Sequence, residues 1–358
     1  MSTNKIIFQT IIPDESLQKI QKQSKNMQDY LGVAEFISRE FQIDITADKD
    51  IINGYERDSS NINGNGDILC RPQNELECAL ILQWFQSAQI PMTISAGKTN
   101  LTGSATPKGG VVLSTEKMTQ PAVKVDSVAN IVSTPVGIYL EDMRKEVLRQ
   151  SNKTLHYPVD PTSREEAMVG GTLSCNASGF IPGPAGATRF WTEGLDFLTA
   201  DGYKISCRRG DYVSENGEFI MEYPDKSVIL TIPTYPRPEI KNASGPFSDV
   251  NGRIDLVDFL VGSEGIFGVI TSAIFALKEM PDDFLDLFFT LPKELDAVHF
   301  HQYISNHFNG DLSQITALEY FGYNCQTYMN HREKLFNSTS EVGIYLQIPL
   351  YNETVEDV

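Results

Sequence analysis

The loop at residues 95–103 reads Ser95-Ala96-Gly97-Lys98-Thr99-Asn100-Leu101-Thr102-Gly103. Its small residues allow another group to approach the backbone closely. Consecutive N–H groups, the hydroxyls of Thr99 and Thr102, and the charge of Lys98 can together coordinate an anion. Taken alone, the loop is equally compatible with an ordinary glycine turn between two strands.

Two common nucleotide-binding motifs are absent from this region. Gly97-Lys98-Thr99 resembles the end of a Walker A motif, but the required glycine five residues earlier is Met92. A loop without that glycine cannot wrap a triphosphate. No GxGxxG sequence opens the first helix, which argues against a nicotinamide Rossmann enzyme.

The segments around the loop predict alternating strands and helices. Residues 67–72 predict a strand stopped by Pro72, and Asn74 is placed to cap an amphipathic helix. Strands at 91–94 and 110–114 flank the loop. After residue 121 strands and hairpins dominate, with one helix at 139–150. We therefore predict an α+β fold.

Two further clusters of small residues lie in long or glycine-rich segments. The second cluster falls in residues 158–186, which are too long for a plain turn, and the third begins at Ser263. The second contains Asp160-Pro161-Thr162-Ser163, Gly170-Gly171 and Ser174-Cys175-Asn176-Ala177-Ser178-Gly179, and the third contains Glu264-Gly265, Gly268 and Ile270. Adjacent glycines suit a flat cofactor that lies against the main chain, which favours a binding site over a surface loop.

The three clusters together resemble the FAD-binding domain of the vanillyl-alcohol oxidase, or PCMH-type, family. The similarity is greatest to the glycolate oxidase D-subunit and D-lactate dehydrogenase branch, whose motifs GGGTSLTG and SEGTLGVIT correspond to residues 96–103 and 263–271. Residues 186–189 and 200–202 follow in the same order. The resemblance covers residues 66–277, and in weaker form residues 317–320. It implies two α/β subdomains that bind FAD, followed by an α+β cap.

The resemblance also implies roles for these residues. The first loop would hold the FAD pyrophosphate, the second cluster would line the flavin and ribityl side, and the third would lie beside the adenine. Lys98 stands where the family has a third glycine, so its side chain either reaches a phosphate or points to solvent. No histidine lies between residues 93 and 103, and the sequence around Cys175 lacks the pattern of cysteinyl-flavin relatives. We therefore expect FAD to be bound non-covalently.

The function implied by the resemblance is oxidation of a small 2-hydroxy acid by hydride transfer to flavin N5. Arg189 is the best available partner for a substrate carboxylate, although a structural ion pair is an equal alternative. Other readings remain open: an alkyl-dihydroxyacetone-phosphate synthase-like or carbohydrate-oxidising flavoenzyme, a non-catalytic FAD-binding subunit, or a binding protein without flavin. The electron acceptor stays open, as does a dimer or a larger complex.

Composition limits the partners and the location. The 29 Lys and Arg against 47 Asp and Glu give a formal charge of −18, which disfavours nucleic acid and anionic membranes. Five cysteines without a CxxC pair argue against a disulfide framework. We see no signal peptide and no apolar stretch of membrane-spanning length. A cytoplasmic protein with reduced cysteines is expected.

We divide the chain into a helical lead-in at residues 1–65, the FAD-binding domain at 66–277 and the start of a cap at 278–358. The cap stops before the His-, Gly-, Asp- and Asn-rich segment that supplies substrate and metal contacts in this branch, so we expect a truncated product. His299 and His301 would share a face on a strand, but no third ligand is evident, and we expect no metal.

Overall fold

The computed structural model describes residues 2–27, 29–234, 245, 248–329 and 335–352. Helices and strands are mixed along the chain, which confirms the predicted α+β class. The helices are α1 Asp14–Gln23, α2 Tyr30–Phe41, α3 Lys49–Ile52, α4 Glu75–Ser87, α5 Leu140–Gln150, α6 Val169–Ser174, α7 Thr188–Trp191, α8 Leu256–Leu260 and α9 Glu294–His307. The strands are β1 Lys5–Ile7, β2 Ile45–Thr46, β3 Ile68–Cys70, β4 Met92–Ser95, β5 Val111–Ser114, β6 Lys124–Asp126, β7 Ile131–Pro135, β8 Leu155–His156, β9 Thr192–Thr199, β10 Lys204–Arg208, β11 Glu218–Glu222, β12 Ser227–Thr231, β13 Gly268–Ala276, β14 Lys278–Glu279, β15 Asp283–Leu291, β16 Ala317–Phe321 and β17 Val342–Leu350.

The first sheet has the strand order β2-β3-β5-β4. Strands β3, β5 and β4 are parallel, as expected for strands joined through a helix, and β2 adds antiparallel to the edge. Asn74 caps α4 as predicted, because its side chain accepts a hydrogen bond from the Glu77 N–H at 3.0 Å. Every residue of β3 and β5 is buried. Strand β4 ends at Ser95, so the glycine-containing first loop leaves the sheet at a strand terminus.

The second sheet is antiparallel, with the order β10-β9-β13-β7-β6. The predicted hairpin between β9 and β10 is present. Glu75 at the start of α4, the helix between β3 and β4, links that helix to the second sheet, since it accepts from Lys204 Nζ and from the Thr271 hydroxyl at 2.5 and 2.6 Å. Strand β13 begins at Gly268, so the third small-residue segment enters this central strand directly.

The amino-terminal lead-in is partly helical, with α1 and α2, but it also supplies strands. Strand β1 pairs with β11, and β2 pairs with β3. These strands are only two or three residues long, so they show no alternation that a sequence pattern could reveal. The lead-in backbone therefore takes part in sheets formed by residues beyond position 65.

The carboxy-terminal part forms a three-stranded antiparallel sheet, β15-β17-β16, against which α9 packs. Strand β14 pairs with β8 and connects this part to the preceding one. His299 and His301 lie in α9, so the strand considered for them is wrong. Two residues apart on a helix, they do not share a face. Among the described residues, no three His, Cys, Asp or Glu side chains are placed to hold a metal ion.

No helix within the described ranges is both long enough and apolar enough to cross a bilayer.

Candidate functional site

The three small-residue segments meet in one cleft, with a cavity of about 140 Å³. The first loop leaves β4, the second segment includes α6, and the third lies before β13. Of the residues predicted to bind the cofactor, the cleft is lined by Ser95, Ala96, Gly97, Lys98, Thr99, Asn100, Ser163, Gly170, Gly171, Ser174, Cys175, Ala177, Glu264, Gly265, Gly268 and Ile270. Ser95 and Ile270 are 175 positions apart in the sequence, yet both line this cleft.

A second hollow of about 480 Å³ adjoins the cleft and shares Thr99 and Ser163 with it. This mouth hollow is lined by five further predicted residues: Leu101, Asp160, Pro161, Thr162 and Gly179. The Asp160 carboxylate accepts hydrogen bonds from Arg164 Nη1 at 2.6 and 2.7 Å. The remaining predicted residues, Thr102, Gly103 and Asn176, line neither space. Asn176 is buried, and its side chain accepts a hydrogen bond from the Arg189 N–H.

Backbone contacts hold the three segments together. A Cβ atom at Gly97 would lie 2.4 Å from the Glu166 carbonyl oxygen, so only glycine allows this approach. The third segment is hydrogen bonded to the end of α6, through Gly262 N–H to Leu173 O at 2.8 Å and Glu264 N–H to Ser174 O at 2.9 Å. The cleft is therefore built from main chain as much as from side chains.

The first loop presents main-chain donors. The N–H groups of residues 97–102 donate to no acceptor in the described part of the chain. Lys98 has a left-handed φ of 58°, the conformation that favours the glycine of the related motif. Its ammonium donates to Gly54 O at 2.7 Å and lies 4.5 Å from the centre of the Tyr55 ring. The side chain therefore fastens the loop to the lead-in segment, an outcome that neither sequence-based alternative included.

A carboxylate from the lead-in shapes the rest of this loop. Asp58 is buried and accepts from Ser60 N–H, Asn100 Nδ2 and Ala105 N–H at 3.0, 2.7 and 3.2 Å. Burial alone would raise the pKa of the Asp58 carboxyl, but these hydrogen bonds outweigh burial and lower the pKa below its usual value. An ionised Asp58 thus fixes residues 100–105.

Two side chains in the cleft bear on cofactor binding. Ser95 is buried, and its Oγ has no hydrogen-bond partner among the described residues. A buried hydroxyl without a partner is costly, so a polar ligand group in the cleft would satisfy it. Burial, together with the nearby Glu264 carboxylate, raises the pKa of the Cys175 thiol. A protonated thiol is a poor nucleophile, which favours a non-covalent cofactor.

Arg189 lies outside both spaces. It is 7% exposed, and its Nη2 donates to the Val261 carbonyl oxygen at 2.7 Å. Its own carbonyl accepts from Arg209 Nη2 at 2.8 Å. These contacts favour the structural alternative for Arg189 over contact with a substrate carboxylate.

Sequence reasoning missed several residues of the cleft. Most of them lie next to the predicted small-residue segments. Extending each predicted segment by one or two residues would have included these positions. The missed lining residues are Ile94, Ser104, Ala105, Thr115, Ala167, Met168, Thr172 and Val269. Asp58 was also missed; it lies 42 positions before Asn100, and no local pattern marks it.

The geometry of the cleft suits a flavin cofactor, and the comparison with protein families agrees with this. Residues 67–208 match the family described as the FAD binding domain, so this part of the chain is an FAD binding domain and FAD is its cofactor. The donors of the first loop, the unpartnered Ser95 hydroxyl and the open space beside Gly171 fit such a ligand.

Several curated proteins are similar to this chain over much of its length. D-lactate dehydrogenase of Archaeoglobus fulgidus is 29% identical over 65% of the chain, and glycolate oxidase subunit GlcD of Bacillus subtilis is 27% identical over 60%. D-2-hydroxyglutarate dehydrogenase of Stutzerimonas stutzeri is 24% identical over 77%. The matches cover 43%, 38% and 50% of these relatives, so the chain spans about half their length or less.

Two solved structures of alkyldihydroxyacetonephosphate synthase share the fold, with TM-scores of 0.60 and 0.63. They cover 86% and 95% of this chain, and the chain covers 53% and 58% of them. At 15% identity, this likeness concerns the fold alone.

Proposed function

We propose that this chain belongs to an FAD-linked oxidoreductase that oxidises the CH–OH group of a small 2-hydroxy acid such as D-lactate or glycolate. The convergence of three separate segments on one cleft is the observation that carries the proposal. The names of the similar proteins, which include D-lactate dehydrogenase and D-2-hydroxyglutarate dehydrogenase, support the substrate class. A cytoplasmic location stays a prediction from the cysteine content.

The chain's residues would divide the work of holding FAD, which when bound supplies the hydride acceptor for this oxidation. The N–H groups of residues 97–102 would bind the pyrophosphate, because unpaired main-chain donors form a site for anions. Such donors also provide a local attraction for an anionic cofactor, which the overall charge of −18 would otherwise repel. The cleft residues of the second and third segments would line the rest of the cofactor.

The mouth hollow is the place we propose for substrate. It adjoins the cleft, and its lining includes Asp160–Ser163 of the second segment and Glu319 of β16. Phe180 O accepts the Leu318 N–H at 3.4 Å, which joins β16 to the second segment beside this hollow. Substrate bound there would lie between the cleft and the carboxy-terminal sheet.

Absorption spectroscopy of the purified chain tests the proposal. We expect a yellow protein whose flavin is released into the supernatant on acid precipitation. Anaerobic addition of D-lactate, glycolate or D-2-hydroxyglutarate should bleach the flavin band. Protein that takes up no FAD would contradict the site, and flavin that none of the three acids reduces would contradict the substrate class while leaving the site intact.

A further inference from the structure

Lys98 has a backbone conformation that lysine does not readily adopt. Its φ of 58° lies in the left-handed region, which favours glycine over residues with a Cβ atom. Lys98 lines the cofactor cleft and belongs to residues 97–102, whose N–H groups donate to no acceptor in the described part of the chain. The first loop therefore needs contacts that offset the strain at this position.

These contacts come from residues 54–59 of the lead-in. The Lys98 ammonium donates to Gly54 O at 2.7 Å and lies 4.5 Å from the centre of the Tyr55 ring. The Lys98 carbonyl oxygen accepts from the Ser59 N–H at 3.0 Å and from the Ser59 hydroxyl at 3.3 Å. The side chain and the backbone of Lys98 are thus both bound to one short stretch that lies 39 to 44 positions earlier in the sequence.

Tyr55 is itself anchored to the first sheet. Its ring packs against the buried cluster of Ile52, Leu69 and Val112, and its hydroxyl donates to Glu116 Oε1 at 2.6 Å. Leu69 and Val112 belong to β3 and β5, and Glu116 follows β5. The ring face that the ammonium meets is therefore fixed relative to the sheet from which the first loop leaves.

We propose that Lys98 and Tyr55 are positioning residues for FAD, because their contact holds the first loop in the conformation that binds the cofactor. The lead-in is then part of the cofactor site, although Tyr55 does not line the cleft. Coupling between two sites is reciprocal, so FAD bound in the cleft also stabilises the docked lead-in. The inference concerns the cofactor and does not rest on the proposed substrate.

FAD titrations of the deflavinated full chain, followed by flavin fluorescence, test this role. Lys98→Met keeps the length of the side chain but removes the ammonium, and Tyr55→Leu removes the ring face. Each should weaken FAD binding at least about threefold. The double variant should bind no more weakly than the weaker-binding single variant, because both changes break the same contact. Lys226→Met is the matched control, since Lys226 Nζ lies 4.8 Å from the centre of the Tyr223 ring, outside the cleft, and its FAD affinity should be unchanged.

A glycine variant separates the positioning role from a direct attraction between the ammonium and FAD. Lys98→Gly loses the ammonium as Lys98→Met does, but glycine adopts the left-handed conformation without strain. If Lys98 positions the loop, Lys98→Gly should recover part of the affinity that Lys98→Met loses. A direct attraction by the charge predicts instead that both variants bind FAD equally weakly.

Hydrogen exchange of the lead-in gives a readout that is independent of affinity. Saturating FAD should slow exchange at residues 54–59 in the native chain, and the slowing should be smaller in Lys98→Met at saturating FAD. If Tyr55→Leu does not fold, the two Lys98 variants and the exchange measurement decide the question. Unchanged FAD affinity in Lys98→Met, effects that multiply in a folded double variant, equal affinities of Lys98→Met and Lys98→Gly, or lead-in exchange that FAD does not alter would each overturn the proposal.

Discussion

Gly97 faces the Glu166 carbonyl oxygen so closely that a Cβ atom at position 97 would lie 2.4 Å from it. The same Cβ would be 2.9 Å from the Met168 nitrogen. Both neighbours are backbone atoms, so they cannot turn away as a flexible side chain could. The first loop and the segment before α6 are thus held against each other by the absence of one side chain.

Replacing Gly97 by alanine should separate these two segments. We expect a loss of about 1–3 kcal/mol in the free energy of unfolding, as for other overpacked sites, and an FAD affinity at least about tenfold lower. Urea unfolding and flavin fluorescence titration measure the two effects. Gly54→Ala is the matched control, because a Cβ there meets nothing within 4 Å. A Gly97→Ala protein with normal FAD affinity would show that the contact does not shape the site.

The adjacent glycines of α6 should respond differently to the same change. A Cβ on Gly170 would lie 3.0 Å from Val136 Cβ, whereas a Cβ on Gly171 would lie 3.4 Å from Ala96 Cβ, an ordinary contact within the cleft. Gly170→Ala should therefore act mainly by lowering the free energy of unfolding. Gly171→Ala should fold normally but narrow the cleft, and Gly171→Val should abolish FAD binding.

Thermal melts and FAD titrations of these three variants give the comparison. The prediction fails if Gly171→Val is folded and binds FAD with unchanged affinity, because the glycine pair would then be only a turn.

Asp58→Asn should weaken FAD binding from a distance. The carboxylate accepts hydrogen bonds from three donors, and an amide would direct its own N–H groups toward some of them. Loss of a buried, charge-assisted bond costs about 1.5–3 kcal/mol. We expect lower stability and at least about fivefold weaker FAD binding, with exposed Asp50→Asn as control.

The same carboxylate predicts a pH dependence. Folding lowers the pKa of the Asp58 carboxyl below its value of about 3.9 in the unfolded chain. The ionised carboxylate therefore contributes fully to the free energy of unfolding above about pH 3.9, and this contribution is lost as the pH falls through the lower pKa of the folded state. Unfolding curves of the native protein and Asp58→Asn should converge below about pH 3.9. Curves that stay parallel across this range would assign the stabilisation to another group.

The contrast between Asn74 and Asp58 shows what the sequence could reveal. Asn74 caps the helix that starts at the next residue, so its role was readable from neighbouring positions. Asp58 acts on Asn100 and Ala105, more than 40 positions away, through contacts that only the folded chain creates. The small-residue segments were found because close backbone approach requires glycine wherever it occurs.

The predictions that were wrong or missing have similar physical causes. Strands β1 and β2 are too short to show a periodic pattern, and their pairing depends on distant partners. Lys98 occupies a left-handed position where the related motif has a glycine, but the direction of its side chain depends on Gly54 and Tyr55. The pair His299 and His301 fits either a strand or a helix when read alone, and the longer apolar pattern of α9 determines the outcome.

Ser95→Ala should separate cofactor affinity from stability. The Ser95 Oγ is buried without a partner among the described residues, so removing it from the FAD-free protein should leave stability unchanged or raise it by about 1 kcal/mol. If FAD satisfies this hydroxyl, the variant should bind FAD at least about threefold more weakly. Paired thermal melts with and without FAD measure both quantities, and equal FAD affinity would show that the cofactor does not reach Ser95.

His156 should make the protein sensitive to mild acid. It lies on β8 opposite Lys278 of β14, and its Nε2 is buried without a hydrogen-bond partner among the described residues. Burial, with the nearby charges of Arg144 and Lys278, lowers the pKa of His156 to about 4. The folded protein therefore holds this imidazole in its neutral form.

Since the unfolded chain has a histidine pKa of about 6.5, it binds more protons than the folded chain between pH 6.5 and about 4. His156 therefore does not lower the free energy of unfolding above about pH 6.5. Between about pH 6.5 and about 4 it lowers this free energy by on the order of 3 kcal/mol in total. His156→Gln, which does not titrate, should remove that part of the decline, while exposed His299→Gln should leave it unchanged. Urea unfolding at pH 7, 6, 5 and 4 measures the difference. A His156→Gln protein that loses stability as steeply as the native protein would show that other groups cause the acid sensitivity.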